Sequence, residues 1–317
     1  MDKKLIFENI KCCVCDNTDK FKTKYVKVDF IIVECGNCSF NFIPQYFSKQ
    51  ITYEDYKDEK VLEEVRKGND WLKMQRHLLR YKLIKKYKKE GSLFDLGVGW
   101  GHFLYTGKKL GYDVFGVELA KVPFQYAKQD LDLPVERIDF FDLEVKDKTY
   151  DIITMWAVLE HIADADIVIK KSSEMIKDGG YIFIEVPQID SLLAKCWKEK
   201  WRMMSSGHVN YFSKYAITRL LNRNGFEVET IKSLFEFKLF LMYGVLPLIK
   251  KIKSKFSKAS AVSDEADKQS FYNKATDLPK WVLRIMIVIH NFVHHILALL
   301  RIGDEMVVVA KKIKLTG

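Results

Sequence analysis

The segment from Asp95 to Gly101 joins a carboxylate to three glycines at alternate positions, within and just after a short apolar run. Because Gly97, Gly99 and Gly101 carry no Cβ, the backbone can turn sharply there and approach a ligand closely. Glu118 ends the next apolar run, a position from which an acid can accept both hydroxyl groups of a ribose. This order of apolar run, glycine turn, apolar run and acid predicts a nucleoside-binding site.

The position of Asp95 favours one class of nucleoside over another. A dinucleotide site places a helix N-terminus against a pyrophosphate, and an acid before the first glycine would repel that phosphate. S-adenosylmethionine carries an ammonium and a sulfonium group and no phosphate, so it suits this acid. A dinucleotide site and a tight turn without a ligand remain the alternatives. The predicted cofactor site also includes Asp139 and Phe140 after a third short strand, with Asp139 near the adenine amino group, and Trp156 after a fourth strand.

Four cysteines near the N-terminus have the spacing of a metal site. Cys12 and Cys15 form one pair, Cys35 and Cys38 form a second, and the residues between the pairs suit a β-hairpin. Four thiolates can surround one tetrahedral Zn²⁺, and a site closed by four protein ligands is structural. Disulfides are the alternative, which a reducing compartment disfavours. Cys13 is expected not to be a ligand.

Strands and helices alternate after the glycine turn, which predicts a parallel sheet with helices on both faces. The residues from Asp95 to Gly101, Glu118, Asp139 and the segment 151–161 with its Val-Leu-Glu-His ending resemble class I S-adenosylmethionine-dependent methyltransferases. The similarity is strongest to ubiquinone-type and sugar or polysaccharide methyltransferases. It implies an α/β fold with a Rossmann-like seven-stranded methyltransferase sheet, and it implies S-adenosylmethionine as cofactor.

Five segments are predicted along the chain. They are a zinc ribbon at 1–45, a helical lid or linker at 46–90, the methyltransferase core at 91–233, a helical insertion at 234–303, and the last core strand with a tail at 304–317. Helical spacing over 61–89 predicts an apolar stripe that includes Leu78 and Leu79, packed across the cofactor pocket. Cys196, which stands apart from the other cysteines, is expected to be buried.

The predicted insertion combines an apolar run at 237–249, a lysine cluster at 250–255 and a nearly apolar segment at 281–300. Polar residues on one face of the last segment favour a helix lying in an anionic membrane surface. Packing on the core or on a second copy is the alternative. A membrane span is disfavoured, because Arg284 and the polar residues would be costly in lipid.

Two histidines are the candidate bases for methyl transfer. His161 follows the fourth strand, and His208 lies in the polar and aromatic segment 206–213. Imidazole titrates near neutral pH, so either ring suits proton transfer. Related sugar methyltransferases carry a similar His-x-x-Tyr-Phe-Ser loop over the acceptor site, which implies that place for His208. Ser213 is the predicted N-cap of the following helix.

The composition of the chain limits the chemical class of its partners. The net charge of +10 predicts an acidic partner, such as an anionic membrane surface, a phosphorylated substrate or nucleic acid. A solvated lysine-rich surface explains the same charge equally well. No secretory signal is visible, which with the expected thiolate ligands indicates the cytoplasm, with peripheral association at the inner membrane face. The predicted activity is methyl transfer to a sugar, glycan or lipid-linked precursor. An RNA methyltransferase and a non-catalytic binding protein are the alternatives; neither the acceptor nor the oligomeric state follows from the sequence.

Overall fold

The chain has 317 residues, and its computed structural model describes residues 10–44, 62–63, 65–66, 71–144, 149–234, 288 and 303–314. Nearly all of the predicted insertion at 234–303 lies outside the described residues, as do residues 46–61, 64 and 67–70 of the predicted linker. The membrane and self-association interpretations of that insertion therefore stay predictions. Among the residues that are described, no helix is both long and apolar enough to cross a bilayer.

The strands of the described residues are β1 (Phe21–Val26), β2 (Ile31–Cys35), β3 (Asn41–Phe42), β4 (Ser92–Leu96), β5 (Asp113–Val117), β6 (Val135–Glu136), β7 (Tyr150–Trp156), β8 (Ile176–Pro187), β9 (Asn210–Tyr211), β10 (Phe226–Leu234) and β11 (Glu305–Lys312). Seven of them form the central sheet in the order β10-β11-β8-β7-β4-β5-β6. The strands from β4 to β8 that belong to this sheet pair in parallel, and β11 inserts antiparallel between β8 and β10. The predicted α/β seven-stranded methyltransferase sheet is confirmed.

Sequence patterning explains why these strands lie in the centre. Strand β7 has four consecutive fully buried residues from Ile152 to Met155, as expected for a parallel strand covered by helices on both faces. Parallel strands bring their carboxyl ends to one edge of the sheet. Leu96 pairs with both Val117 and Met155 at that edge, where open α/β sheets bind their ligands.

The helices that cover the sheet are α1 (Trp71–Ile84), α2 (His102–Lys109), α3 (Lys121–Gln125), α4 (Ala165–Met175), α5 (Leu192–Trp197) and α6 (Lys214–Arg223). Ser213 is the N-cap of α6, as predicted, because its hydroxyl accepts a hydrogen bond from the Ala216 N–H at 3.1 Å.

Helix α1 packs on the core with only part of the predicted apolar stripe, which also included Leu83 and Ile84. Tyr81 and Ile84 are buried, and the Tyr81 ring stacks on Phe103 with centroids 4.6 Å apart. Leu78 and Leu79 are 39% and 51% exposed, so their place in the predicted buried stripe is wrong. Residue 79 lies on the opposite side of the helix from Tyr81 and Ile84, and residue 78 lies at the edge of the buried face.

A second, smaller sheet lies at the N-terminus in the order β1-β2-β3-β9. Strands β1 and β2 form the predicted antiparallel hairpin between the cysteine pairs. Strand β9 comes from the His208 loop and pairs antiparallel with β3, so the ribbon is joined to the core by backbone hydrogen bonds. Cys196 is exposed on α5, and the expectation that it is buried is wrong.

Candidate active site

The glycine turn after β4 has left-handed backbone at each of its three glycines. The φ angles of Gly97, Gly99 and Gly101 are +74°, +55° and +77°. A Cβ on Gly97 would lie 2.6 Å from a methyl of Val158, and one on Gly101 would lie 2.8 Å from Leu133. A Cβ on Gly99 would meet nothing within 4 Å. Two of the glycines are therefore required by packing, whereas the third faces open space that a ligand can occupy.

Glu118 stands at the tip of β5 beside this turn, as predicted. One carboxylate oxygen accepts the Gly99 N–H at 2.6 Å, and the other accepts the Ala120 N–H at 2.8 Å. Burial raises the pKa of Glu118 above its ordinary value, although the backbone N–H groups offset part of that rise. The carboxylate is fixed by backbone contacts in a position next to the open face of the turn. This geometry fits the ribose hydroxyls of a nucleoside cofactor.

Asp95 is buried at the end of β4, where its carboxyl group accepts the Thr154 hydroxyl at 2.5 Å. Burial raises the pKa of Asp95 to about 8, against the opposing effects of the Thr154 hydrogen bond and the charge of Arg80. A cation placed beside this group would favour its ionised form. The expected contact with an ammonium group is therefore compatible with the chemistry of the site.

The two remaining positions near the predicted adenine differ in exposure. Strand β6 ends at Glu136, three residues before Asp139. The Asp139 carboxylate is half-buried and accepts the Phe141 N–H at 3.0 Å. Phe140 is buried, and its ring packs against Phe94 with centroids 6.0 Å apart. Asp139 can therefore offer an oxygen to a ligand, whereas the Phe140 side chain is mainly a core contact.

Trp156 ends β7 and adjoins charged residues that the sequence interpretation missed. Its indole N–H is buried and has no hydrogen-bond partner among the described residues. The Arg80 guanidinium lies 4.3 Å from the centre of its ring and donates to the Glu185 carboxylate at 2.8 Å. Arg76 also binds Glu185. The available signal was a pair of arginines one helical turn apart, on the helix before the first core strand.

The structure brings the two candidate bases together. The rings of His161 and His208 have centroids 4.8 Å apart. His161 Nδ1 is 2.7 Å from the Gly207 carbonyl, and His208 Nδ1 is 2.8 Å from the Met203 carbonyl. Because a carbonyl oxygen only accepts, each Nδ1 carries the proton, and Nε2 is the basic nitrogen of each ring.

Both imidazoles are held neutral near pH 7. Burial lowers the pKa of His161 below its ordinary value. Burial, together with the charge of His161, lowers the pKa of His208 to about 4. Each neutral ring can accept a proton at Nε2, although a pKa of about 4 makes His208 a weak base at neutral pH.

Glu160 lies next to this pair and is almost fully buried. Its Oε2 has no hydrogen-bond partner in the described part of the chain, and burial raises its pKa well above the ordinary value. The ligand atoms of Glu160, His161 and His208 lie within 4.8 Å of one another. A cation would fit this spacing only after the carboxyl group lost its proton.

The four predicted metal ligands meet at one end of the small sheet. The sulfur atoms of Cys12, Cys15, Cys35 and Cys38 lie within 4.8 Å of one another. Two of the sulfur pairs, Cys12 with Cys38 and Cys15 with Cys35, are 3.5 Å apart. A regular tetrahedron with Zn–S bonds of about 2.3 Å places its sulfurs about 3.8 Å apart. The donor set therefore fits Zn²⁺, and Cys13 is not part of this cluster.

Comparison with known proteins agrees with this geometry. The profile of the methyltransferase domain family matches residues 71–231, which run from α1 to β10. A ubiquinone biosynthesis O-methyltransferase of Aliivibrio fischeri is 29% identical over 98 residues, which cover 29% of this chain and 42% of that protein. An uncharacterized protein of Methanocaldococcus jannaschii is 26% identical over 157 residues, which cover 48% of this chain and 73% of that protein. The chain thus spans about two fifths of the length of the O-methyltransferase it matches.

Solved structures show the same fold. A crystal structure of an S-adenosylmethionine-dependent methyltransferase from Archaeoglobus fulgidus superposes with a TM-score of 0.50 and 20% identity, covering 80% of this chain and 100% of that one. The family profile covers half of the chain. This chain therefore belongs to the methyltransferase domain family.

Proposed function

We propose that the enzyme transfers a methyl group to a hydroxyl oxygen of a small acceptor, of the sugar, glycan or lipid-linked class. The pair of neutral histidines carries this proposal, because a hydroxyl must lose its proton to the enzyme during O-methylation and Nε2 of either ring can receive it. The matched ubiquinone biosynthesis enzymes are O-methyltransferases, which supports the same choice of atom. The neutral rings also suit an acceptor that carries no positive charge.

The residues of the glycine turn would hold the cofactor. Glu118 would accept the ribose hydroxyls, Asp139 would accept the adenine amino group, and Asp95 would face the ammonium group. When bound, S-adenosylmethionine supplies a methyl group that is already activated on a sulfonium. What the protein must add is orientation of the acceptor and removal of its proton, because a well-oriented pair of reactants supplies much of the rate enhancement. His208, in the loop before β9, and His161 would supply the proton acceptor.

The cysteine ribbon is proposed to hold one structural Zn²⁺. The sulfur spacing and the four-thiol donor set support this assignment. With four protein ligands there is no open coordination position, so the metal would take no part in methyl transfer.

Transfer of label from methyl-labelled S-adenosylmethionine to a panel of acceptors tests this function. The panel holds nucleotide sugars, a polyprenyl-linked sugar, a catechol and transfer RNA. We expect label in a sugar-containing acceptor, and we expect His161→Gln and His208→Gln to slow transfer by about 10²- to 10⁴-fold. Both variants should bind S-adenosylhomocysteine as the wild type does. Label in RNA alone would support the RNA methyltransferase alternative, and full activity in both variants would contradict the role of the histidines.

A further inference from the structure

Asn210 lies two residues after His208 and is fully buried. Its side-chain amide donates to the Ile162 carbonyl at 2.6 Å and to the Leu159 carbonyl at 3.2 Å. These two carbonyls flank His161 in the turn after β7. One buried side chain from the His208 loop therefore holds both ends of the turn that carries His161.

Further hydrogen bonds join the same two segments. The Val209 N–H donates to the Glu160 carbonyl at 2.8 Å. His161 Nδ1 donates to the Gly207 carbonyl at 2.7 Å. The separation of the two rings thus depends on how residues 207–210 dock against residues 159–162. Among these contacts, the Asn210 amide is the part that a point substitution can remove without touching either histidine.

The other side of Asn210 is joined to the ribbon. Its backbone lies in β9, in register with Phe42 of β3, and the Ile43 N–H donates to the Val209 carbonyl at 2.9 Å. The residue after β9 extends this contact, since the Phe212 ring packs on Phe40 with centroids 5.1 Å apart. A displacement of the ribbon would consequently move β9 and the amide that it carries.

A buried amide is costly unless its polar atoms are hydrogen-bonded. Asn210 uses both of its N–H donors on the His161 turn, although its Oδ1 has no hydrogen-bond partner in the described part of the chain. An apolar residue would fill the same space without that cost, so the two donated bonds are what distinguishes asparagine here. We propose that Asn210 is a positioning residue that fixes the separation of His161 and His208, and that the cysteine ribbon acts on the acceptor site through it. The inference rests on the proposed function, because it takes these histidines to face the acceptor.

Histidine-selective ¹⁵N NMR tests the proposal without a known acceptor. In the wild type, the His161 Nδ1 proton should be seen at a shift typical of a hydrogen-bonded imidazole, since it is donated to the Gly207 carbonyl. Asn210→Leu should abolish that signal or shift it, whereas the affinity for S-adenosylhomocysteine should change less than about threefold. Asn41→Leu is the matched control: Asn41 is equally buried and lies in the paired strand β3, but its amide donates to the Ser39 carbonyl within the ribbon. Its His161 signal should be that of the wild type.

Two further measurements keep the test decisive. Removal of the ribbon metal by a chelator should change the His161 signal in the same direction as Asn210→Leu. If the leucine variant does not fold, hydrogen exchange of the wild type decides, because the Asn210 side-chain amide must exchange at least about a hundredfold more slowly than an exposed amide. A folded Asn210→Leu variant with wild-type histidine signals, or a rapidly exchanging Asn210 amide, would overturn the proposal. Failure of the wild type to bind S-adenosylhomocysteine would count instead against the proposed function.

Discussion

Carboxyl groups near the carboxyl ends of the parallel strands differ in charge state because their surroundings differ. Glu118 is tied to two backbone N–H groups, whereas Asp95 is buried against a single hydroxyl and has a pKa of about 8. Glu185 is almost fully buried too, but Arg80 and Arg76 bind it. Each residue type was visible in the sequence. The partner that fixes each charge state was not, because it comes from another element.

Glu118→Ala should weaken binding of S-adenosylhomocysteine by about 1.5–3 kcal/mol, the range for hydrogen bonds to a charged group, which is about 10- to 150-fold in Kd. The reason is the loss of the carboxylate that would accept the ribose hydroxyls. Isothermal titration calorimetry measures the change. Glu136→Ala is the control, since Glu136 is an exposed acid at the end of the neighbouring strand β6. Equal affinity in wild type and Glu118→Ala would refute the ribose assignment.

Glu185→Gln should lower the free energy of unfolding by about 3–5 kcal/mol at pH 7, because it leaves the buried Arg80 without its counter-charge. Burial alone would raise the pKa of Glu185, but the charges and hydrogen bonds of Arg80 and Arg76 bring it down to about 2. A lowered pKa means that the stabilisation is complete above pH 4.5 and is lost as the pH falls towards 2. The difference between variant and wild type should therefore shrink over that window.

Urea unfolding at pH 7 and at pH 3 measures the loss of stability in Glu185→Gln and its decrease at low pH. Glu229→Gln removes an exposed acid that contacts Tyr181, and it should change stability by less than about 0.5 kcal/mol. A difference for Glu185→Gln that stays constant from pH 7 to pH 3 would show that the ion pair is not the source of the loss.

At the scale of elements, strong periodicity was enough to predict the sheet, and weak periodicity was not. Strand β7, with its long apolar run, lies where the sequence predicts the fourth strand. The two-residue strands β3 and β9 have no periodic signal, so their pairing could not be foreseen. The arginines of α1 meet Glu185 across more than 100 residues of sequence. The sequence therefore predicted Leu78 and Leu79 on the buried face of α1. In the structure, Tyr81 and the ion pair of Arg80 with Glu185 occupy that face.

The glycine turn allows packing and ligand binding to be separated by two substitutions. Gly101→Ala should destabilise the fold by about 1–3 kcal/mol through overpacking, because its Cβ would lie 2.8 Å from Leu133. Its positive φ adds about 1–2 kcal/mol for any side chain. Gly99→Ala has only the φ cost, since its Cβ would enter open space.

For ligand binding the order should reverse. Gly99→Ala places a methyl group where the cofactor is proposed to lie, so its loss of affinity for S-adenosylhomocysteine should exceed its loss of stability. Thermal unfolding and calorimetry on the same two variants make the comparison. If Gly99→Ala binds as tightly as the wild type, the open face of the turn is not the cofactor side.

At the scale of the whole molecule, the ribbon and the methyltransferase core share one hydrophobic cluster. Cys12 and Phe40 belong to the same buried cluster as Phe212, Ile217 and Met306. An ion pair adds to this contact, since Arg223 of α6 binds Asp16 at 2.7 Å and also Asp166. The two predicted segments are therefore packed as one body in the described structure. The sequence predicted both parts but not this contact, which depends on strand β9 and on side chains far apart in the chain.

This shared cluster makes metal loss a test of the whole fold. Protein purified without chelator should contain close to one Zn²⁺ per chain, and Cys15→Ser should lose most of it. Because the ribbon packs on the core, that variant should unfold in a single transition, with a free energy of unfolding lowered by about 4 kcal/mol or more. Elemental analysis and urea unfolding followed at tryptophan fluorescence measure the two effects. Cys196→Ser, an exposed cysteine outside the cluster, should keep both its metal and its stability. A Cys15→Ser protein whose core unfolds at the wild-type urea concentration would show that the ribbon and the core are independently stable.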